Sequence, residues 1–313
     1  MRKSSIIPAV FAASLAASGT ALAAGGKTVI EDPAFSFEGP FGTYDRMQLQ
    51  RGFQVFQEVC SGCHGMKFVS FRSLGESGGP EFPPEQIKAF ASNYELPATP
   101  GEPFVDVDGE RVDEAFYGDM RAALPTDNFP ANDSVGAPDL SLMAKARAGF
   151  HGPSGLLLNQ LRKGIGGPEY IYSLLVGYVE EPECAAEAEM DGQYNNAFAV
   201  GAYPDSCKVF DEDGVEIDRL APGSWISMSQ PLYGEDVEYA MHGGEGDEGP
   251  VAPEATIEQQ AEDVAAFLMW AAEPKMTDRK EAGFRNLLMI LFLAVLLYYT
   301  NKKLWAPIKH REH

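Results

Sequence analysis

Cys60-Ser61-Gly62-Cys63-His64 sets two thiols about one helical turn apart with an imidazole directly after the second, the spacing that attaches a c-type haem. Each thiol can form a thioether to one haem vinyl group. His64, next on the same short turn, can present a ring nitrogen to the iron. A centre of that kind carries single electrons. The same residues could form a thioredoxin-like redox pair or half of a zinc site. The first wants a βαβ setting and the second two further Cys or His ligands at short spacing, and the flanking sequence supplies neither.

A low-spin electron-transfer haem takes another axial ligand opposite His64, usually a methionine thioether or a second histidine. Met66 is too close to the attachment turn, Met143 and Met269 fall on apolar helical stripes where packing is the expected role, and Met289 lies in a long apolar run. Met190 and Met241 have acidic, glycine-rich neighbours. Met228 lies in Gly223-Ser224-Trp225-Ile226-Ser227-Met228-Ser229-Gln230-Pro231-Leu232, a loop with apolar neighbours that can lie over a haem, and is the favoured ligand. His151 and His242, both flanked by glycine, are the alternatives, and a buried loop methionine is the plainer reading of Met228. Cys184 and Cys207 make an even pair, for which a disulfide is the default in an exported chain. Such a bridge would close an acidic loop and steady the segment leading to Met228.

These groups need elements to position them. Leu49, Phe53, Phe56 and Cys60 recur on one helical face, with Asp45 as N-cap and Gln48 at the third helical position, so a helix delivers the attachment turn at its C-terminal end. Residues 75–138 are rich in Gly, Pro and acidic side chains without sustained periodicity, which predicts loops and one short helix near Glu85–Asn93. Asp139 can cap a short helix within Pro138–Arg147; Ser154–Lys163 and Glu169–Tyr178 are two further helical candidates. Residues 180–255 return to Pro, Gly and acidic runs. Thr256 and Gln259 then form a capping box for a helix with Ile257, Ala261, Val264, Leu268 and Ala271 along one stripe, ended by Pro274.

Both ends of the chain point to export and anchoring. Arg2 and Lys3, the apolar run Ile6–Ala17 and Ala21-Leu22-Ala23 make residues 1–24 a secretory signal peptide. Leu287–Tyr299 carries no charge, and extending it to Phe284 and Trp305 gives membrane-crossing length, with Arg285 on one side and Lys302 and Lys303 on the other. An interfacial helix is the alternative, but the run is apolar all round, as a span requires. Lys302, Lys303, Lys309 and Arg311 lie beyond it, so the positive-inside rule puts the tail in the cytoplasm and the body outside. The expected division is 1–24 signal, 25–282 periplasmic haem domain, 283–304 transmembrane anchor and 305–313 cytoplasmic tail. The body, roughly 260 residues, is long enough to bury a core without staples, as one domain with insertions. The chain carries 46 acidic against 24 basic residues, a formal net charge of −22. That excludes nucleic acid as a partner. It suits diffusional steering of a basic protein, or solubility alone.

Several segments together resemble the cytochrome c1 family, the c-type subunit of the quinol-oxidising cytochrome bc1 complex, in its α-proteobacterial form. They are Arg51–Cys60, Pro138-Asp139-Leu140-Ser141, Lys145-Ala146-Arg147, Gly166-Gly167-Pro168-Glu169-Tyr170 and Asp263–Pro274. The resemblance implies a mostly α fold: a c-type cytochrome helical domain with long loop insertions and one C-terminal transmembrane helix. It implies one covalent haem c, bound through Cys60 and Cys63 with His64 and Met228 as axial ligands. Arg147 stands where the family places a haem-propionate partner, Tyr170 beside it, and Pro138 resembles the loop proline on the proximal haem side. The plainer readings of these three are a surface arginine, a core tyrosine and a turn proline. The implied activity is relay of single electrons from a Rieske iron–sulfur protein to a soluble or tethered cytochrome c, within a dimeric complex with cytochrome b in the bacterial inner membrane. Quinol oxidation itself would belong to the cytochrome b and iron–sulfur partners. A tethered cytochrome c serving another oxidase or reductase is the near alternative, and a haem gas sensor with an open iron position the distant one. Residues 92–137 look longer than the family pattern and 180–218 more acidic, and neither transfers a role.

Overall fold

In the computed structural model, residues 27–106, 108–149, 164–239 and 253–309 are described. The signal segment, the Ser154–Lys163 helix, His151, Met241, His242 and Arg311 lie outside them.

The first helix, α1 (Arg46–Val55), starts at Asp45, whose Oδ1 accepts from the amides of Met47 and Gln48 at 2.8 and 3.0 Å. Gln48 does not complete a capping box. Its side chain donates across to Glu262 at 3.0 Å. The C-terminal helix of the head, α5 (Ile257–Ala272), is likewise capped by Thr256, whose Oγ1 accepts from the Gln259 amide, while the Gln259 side chain donates to Asp263. Both N-caps stand as expected, but neither reciprocal bond is made: Gln48 takes a tertiary acceptor and Gln259 one a turn along its own helix.

α1 packs chiefly against α5. A Cβ on Gly52 would strike the Asp263 carbonyl, so only glycine permits this backbone approach. Next to it, Arg51 makes a bidentate pair with Asp263, Nε to Oδ2 and a terminal nitrogen to Oδ1, each 2.8 Å. The Asp263 side chain is 0 % exposed. Burial raises its carboxyl and would lower the Arg51 guanidinium, but the hydrogen bonds carry Arg51 upward, so the cation persists. Tyr239 covers it, with the guanidinium 5.7 Å from the ring centroid.

Phe53, Phe56, Phe267, Phe71 and Trp270 are fully buried around this crossing, with Phe53 5.6 Å from Phe267. Each contributes roughly 1.5–3 kcal/mol by burial. α5 is buried nearly all round rather than along one stripe. Also packed on α5 are α3 (Met143–Ala146) and α4 (Gly167–Val176); α2 (Pro84–Ser92) covers the turn Phe71–Gly75. The short helix expected from Asp139 begins only at Met143, because Asp139 is used elsewhere: its carboxylate accepts from the amides of Ser141 and Lys67.

Strands appear where loops were expected. β1 (Glu95–Pro97) pairs antiparallel with β4 (Met120–Ala122), and β2 (Phe104–Val105) with β3 (Arg111–Val112). These ladders are two or three residues long, too short for a period-2 pattern to register. The fold remains mostly helical.

The described residues divide into two compact units, the larger drawn from 30–178 and 228–309 and the smaller from 27–29 and 179–227. The smaller unit pairs β5 (Gln193–Asn195) with β8 (Ser224–Ile226) and β6 (Lys208–Phe210) with β7 (Glu216–Arg219). Its core is Trp225, Tyr194, Tyr203 and the Cys184–Cys207 disulfide, whose Cα atoms are 5.1 Å apart.

After a break at Glu273–Lys275, α6 (Met276–Lys309) runs 34 residues, about 51 Å at 1.5 Å per residue. From Phe284 its apolar side chains are exposed, and it is long and apolar enough to cross a membrane. It starts seven residues before the expected span. Met276 is buried in the head, the Tyr44 hydroxyl lies 3.1 Å from the Glu273 carbonyl, and Glu273 takes ion pairs from Lys145 at 2.8 Å and from Arg279. Burial would raise the Glu273 carboxyl, but these two cations hold it below its ordinary range.

Replacing Arg51 with Met strands a buried carboxylate and is expected to cost about 3–5 kcal/mol in chemical denaturation. Arg51→Met with Asp263→Leu should recover most of the loss. A single variant as stable as the parent would show that the pair does not hold the crossing.

Candidate haem site

The last turn of α1 widens into a π-helical turn, Phe56–Cys60, with the Ser61 amide donating to the Phe56 carbonyl at 2.8 Å. Such turns concentrate at functional sites. The amides of Cys63 and His64 then both donate to the Cys60 carbonyl, at 3.1 and 2.9 Å, and fold the pentapeptide onto itself. Cys60 and Cys63 are free thiols, Cys63 exposed. Burial, with some help from Cys63, pushes the Cys60 thiol up to about 12.

His64 Nδ1 lies 2.7 Å from the Pro138 carbonyl oxygen. A carbonyl only accepts, so Nδ1 carries the proton and Nε2 keeps its lone pair for a metal. Pro138-Asp139-Leu140-Ser141 reinforces this placement along the following residues. The Leu140 amide donates to Gly65 at 2.9 Å, and Asp139 and Ser141 accept from the amides of Lys67 and Phe68 at 2.9 and 3.0 Å. On the other flank, the Met66 amide donates to the Pro130 carbonyl, and a Cβ on Gly65 would lie 2.6 Å from the Asn132 nitrogen. The segment after His64 is thus clamped from both sides.

Beside the turn is a cavity of about 230 Å³. Phe56, Tyr94, Phe129 and Pro130 give it apolar walls, with His64, Met66 and Asn132 also on the lining. Asn132 Nδ2 donates to the Gly62 carbonyl at 3.0 Å and so caps the end of the attachment turn. Tyr94, Phe129, Pro130 and Asn132 come from the segment that carried no recognisable role in the sequence. The fold brings them in through the β1–β4 ladder and the Arg121–Asp127 pair, Nη1 to Oδ2 2.6 Å and Nη2 to Oδ1 3.0 Å. The one available clue was the aromatic and proline content just ahead of Pro138.

The remaining candidates fall in three places. Met228 follows β8 in sequence, is half-buried in the larger unit, and its carbonyl accepts from the Tyr178 hydroxyl at 3.0 Å. It does not line the cavity. Arg147 is exposed, next to Tyr170, whose phenol burial pushes up and Arg147 draws back; neither lines the cavity. Cys184 and Cys207 are joined as expected. Two free thiols, an imidazole of fixed tautomer and an apolar cleft on one turn fit a covalently held haem. They do not fit zinc, since among the described residues no cluster of candidate ligands includes this turn.

The model of the cytochrome C1 family matches residues 35–308. Cytochrome c1 of Cereibacter sphaeroides is 50 % identical over 303 residues, 96 % of this chain and 95 % of that one. Cytochrome c1 of Rhodobacter capsulatus is 48 % identical over 282 residues, 90 % of each. A Candida albicans protein named cytochrome b-c1 complex catalytic subunit, mitochondrial, is 31 % identical over 290 residues, 90 % of this chain and 80 % of that one.

The hydrogen bonds from Arg121 hold the Asp127 carboxyl below its ordinary range, against partial burial. A depressed folded pKa stabilises fully above the unfolded value of about 3.9 and is lost as pH falls through the folded value. Below about pH 4, the parent should therefore lose stability more steeply than Asp127→Asn, followed by denaturant midpoints across pH. Parallel profiles would show that this pair does not hold the cavity wall.

Proposed function

The chain belongs to the cytochrome c1 family, membrane-anchored electron carriers with a covalently bound haem c, and from that premise we propose that it relays single electrons from a Rieske iron–sulfur protein to a cytochrome c. It does so as the c1 subunit of a dimeric bc1 complex with cytochrome b, with quinol oxidised on the partners. The observation that carries this reading is the His64–Pro138 contact at 2.7 Å beside two free thiols and an apolar cavity.

Cys60 and Cys63 would hold the haem as thioethers, and His64 and Met228 would ligate its iron. The haem, when bound, supplies a one-electron iron couple between ferric and ferrous states. The chain's own residues set the conditions for it. Pro138 fixes the imidazole and raises its donor strength through the Nδ1 hydrogen bond. Phe56, Tyr94 and Phe129 exclude water from the cleft. Tyr178 holds the backbone of Met228, while the Cys184–Cys207 bridge braces the unit from which that segment emerges. Arg147 and Tyr170 form a paired cation and phenol suited to a propionate.

Residues 1–24 export the head, so 25–282 work in the periplasm and the tail beyond the span stays inside. Docking of a basic carrier falls to an acidic face from parts of 76–119, where Glu102, Asp108, Glu110, Asp113 and Glu114 are all exposed, or of 235–254, most of which lies outside the described residues. Long-range attraction of this kind accelerates encounter and is screened by salt.

Met228→Leu is expected to keep the haem attached, lower its potential, open the ferrous iron to carbon monoxide and abolish quinol-to-cytochrome c turnover in the complex purified from native membranes. An unchanged potential and turnover would reassign the ligand. Reduction of a basic cytochrome c should slow as ionic strength rises; a rate independent of salt would remove the acidic segment from docking.

A further inference from the structure

The loop that precedes α1 leaves one large aromatic side chain outside the fold. Phe35 and Phe37 are buried and stacked 5.0 Å apart, whereas Phe41 is 72 % exposed. The loop is well built. The Phe35 amide donates to Glu38 Oε1 at 3.2 Å and the Thr43 amide to the Ser36 carbonyl at 3.2 Å. It is also fixed to the anchor helix, since Lys280 Nζ donates to the carbonyls of Phe37 and Gly42 at 2.5 and 3.3 Å. Phe41 is thereby held edge-on against Phe284, with centroids 5.4 Å apart and planes at 74°. Phe284 is itself 49 % exposed and begins the apolar surface of α6.

Position along the helix decides what covers this pair. Phe284 is the first residue of the stretch, reaching to Trp305, that has membrane-crossing length, and the uncharged run begins three residues later at Leu287. Each interfacial layer of a bilayer is roughly 6 Å thick, half the difference between its full and hydrocarbon thickness. Phe41, packed on Phe284 at the head-side end of that stretch, therefore meets this layer. Arg285, one residue past Phe284, carries a positive charge at this level in a chain of net charge −22, which suits anionic headgroups.

Given the reading of α6 as a membrane span, we infer that the loop 38–43 is a second membrane contact, with the Phe41 ring seated among lipid headgroups beside the anchor. The exposed aromatics Phe116 and Tyr117 have no such continuity. They lie in the acidic segment with Asp113, Glu114 and Asp119.

The test places a nitroxide on Phe41→Cys in the full haem-loaded chain, where the four native cysteines are occupied by haem and disulfide. The chain is reconstituted in vesicles of phosphatidylcholine and phosphatidylglycerol, with Phe116→Cys and Leu291→Cys labelled for comparison. Power saturation then measures access to oxygen and to a water-soluble nickel chelate. The expected result is several-fold less nickel access at 41 than at 116, with oxygen access between those of 116 and 291. Nickel access at 41 equal to that at 116, or exclusion of both reagents, would overturn the inference. Nickel access at 291 would instead reject the span itself, so the two failures are distinguishable.

Discussion

The approach of Gly52 to Asp263 is the constraint on which the rest of the molecule depends. It draws α1 against α5 at backbone distance, and the neighbouring Arg51–Asp263 pair fixes the crossing by geometry as well as by charge. A buried ion pair of this kind is poor at adding net stability but costly to break. Its value here is register: a slide along α1 would part the guanidinium fork from its carboxylate and press a Cβ-bearing residue on the Asp263 carbonyl. With α1 fixed, the turn at its C-terminal end has a defined place relative to the aromatic core.

The site is then completed by segments distant in sequence. Pro138 orients His64, Asp139 and Ser141 hold the next residues, and Pro130 and Asn132 close the opposite flank. Each of these contacts has a backbone carbonyl or amide on at least one side, with the Asp139, Ser141 and Asn132 side chains supplying the other partner in three of them.

That division explains what could be read from the sequence. The thiols, the imidazole, both N-caps and the long apolar helix carry local signatures of type and spacing, and they stand where those signatures put them. The wall residues carry none. Tyr94 and Phe129 acquire their role only when ladders of two or three residues and the Arg121–Asp127 pair fold the segment back. The helix expected from Asp139 was misplaced for a related reason: a good cap residue serves whichever amides the tertiary structure brings nearest, here including Lys67. Gln48 likewise left its local partner for Glu262 on α5.

The π-helical turn Phe56–Cys60 has a bearing on how such a site can vary. An i to i+5 turn takes up about one residue more than an α-turn, which offsets the angular phase of everything after it by roughly 100°. The face of α1 that meets α5 and the direction in which Cys60, Cys63 and His64 point are therefore set separately. The helix can thus keep Gly52 and Arg51 against α5 while the turn that follows it points along a different bearing from the one an unbroken α-helix would give.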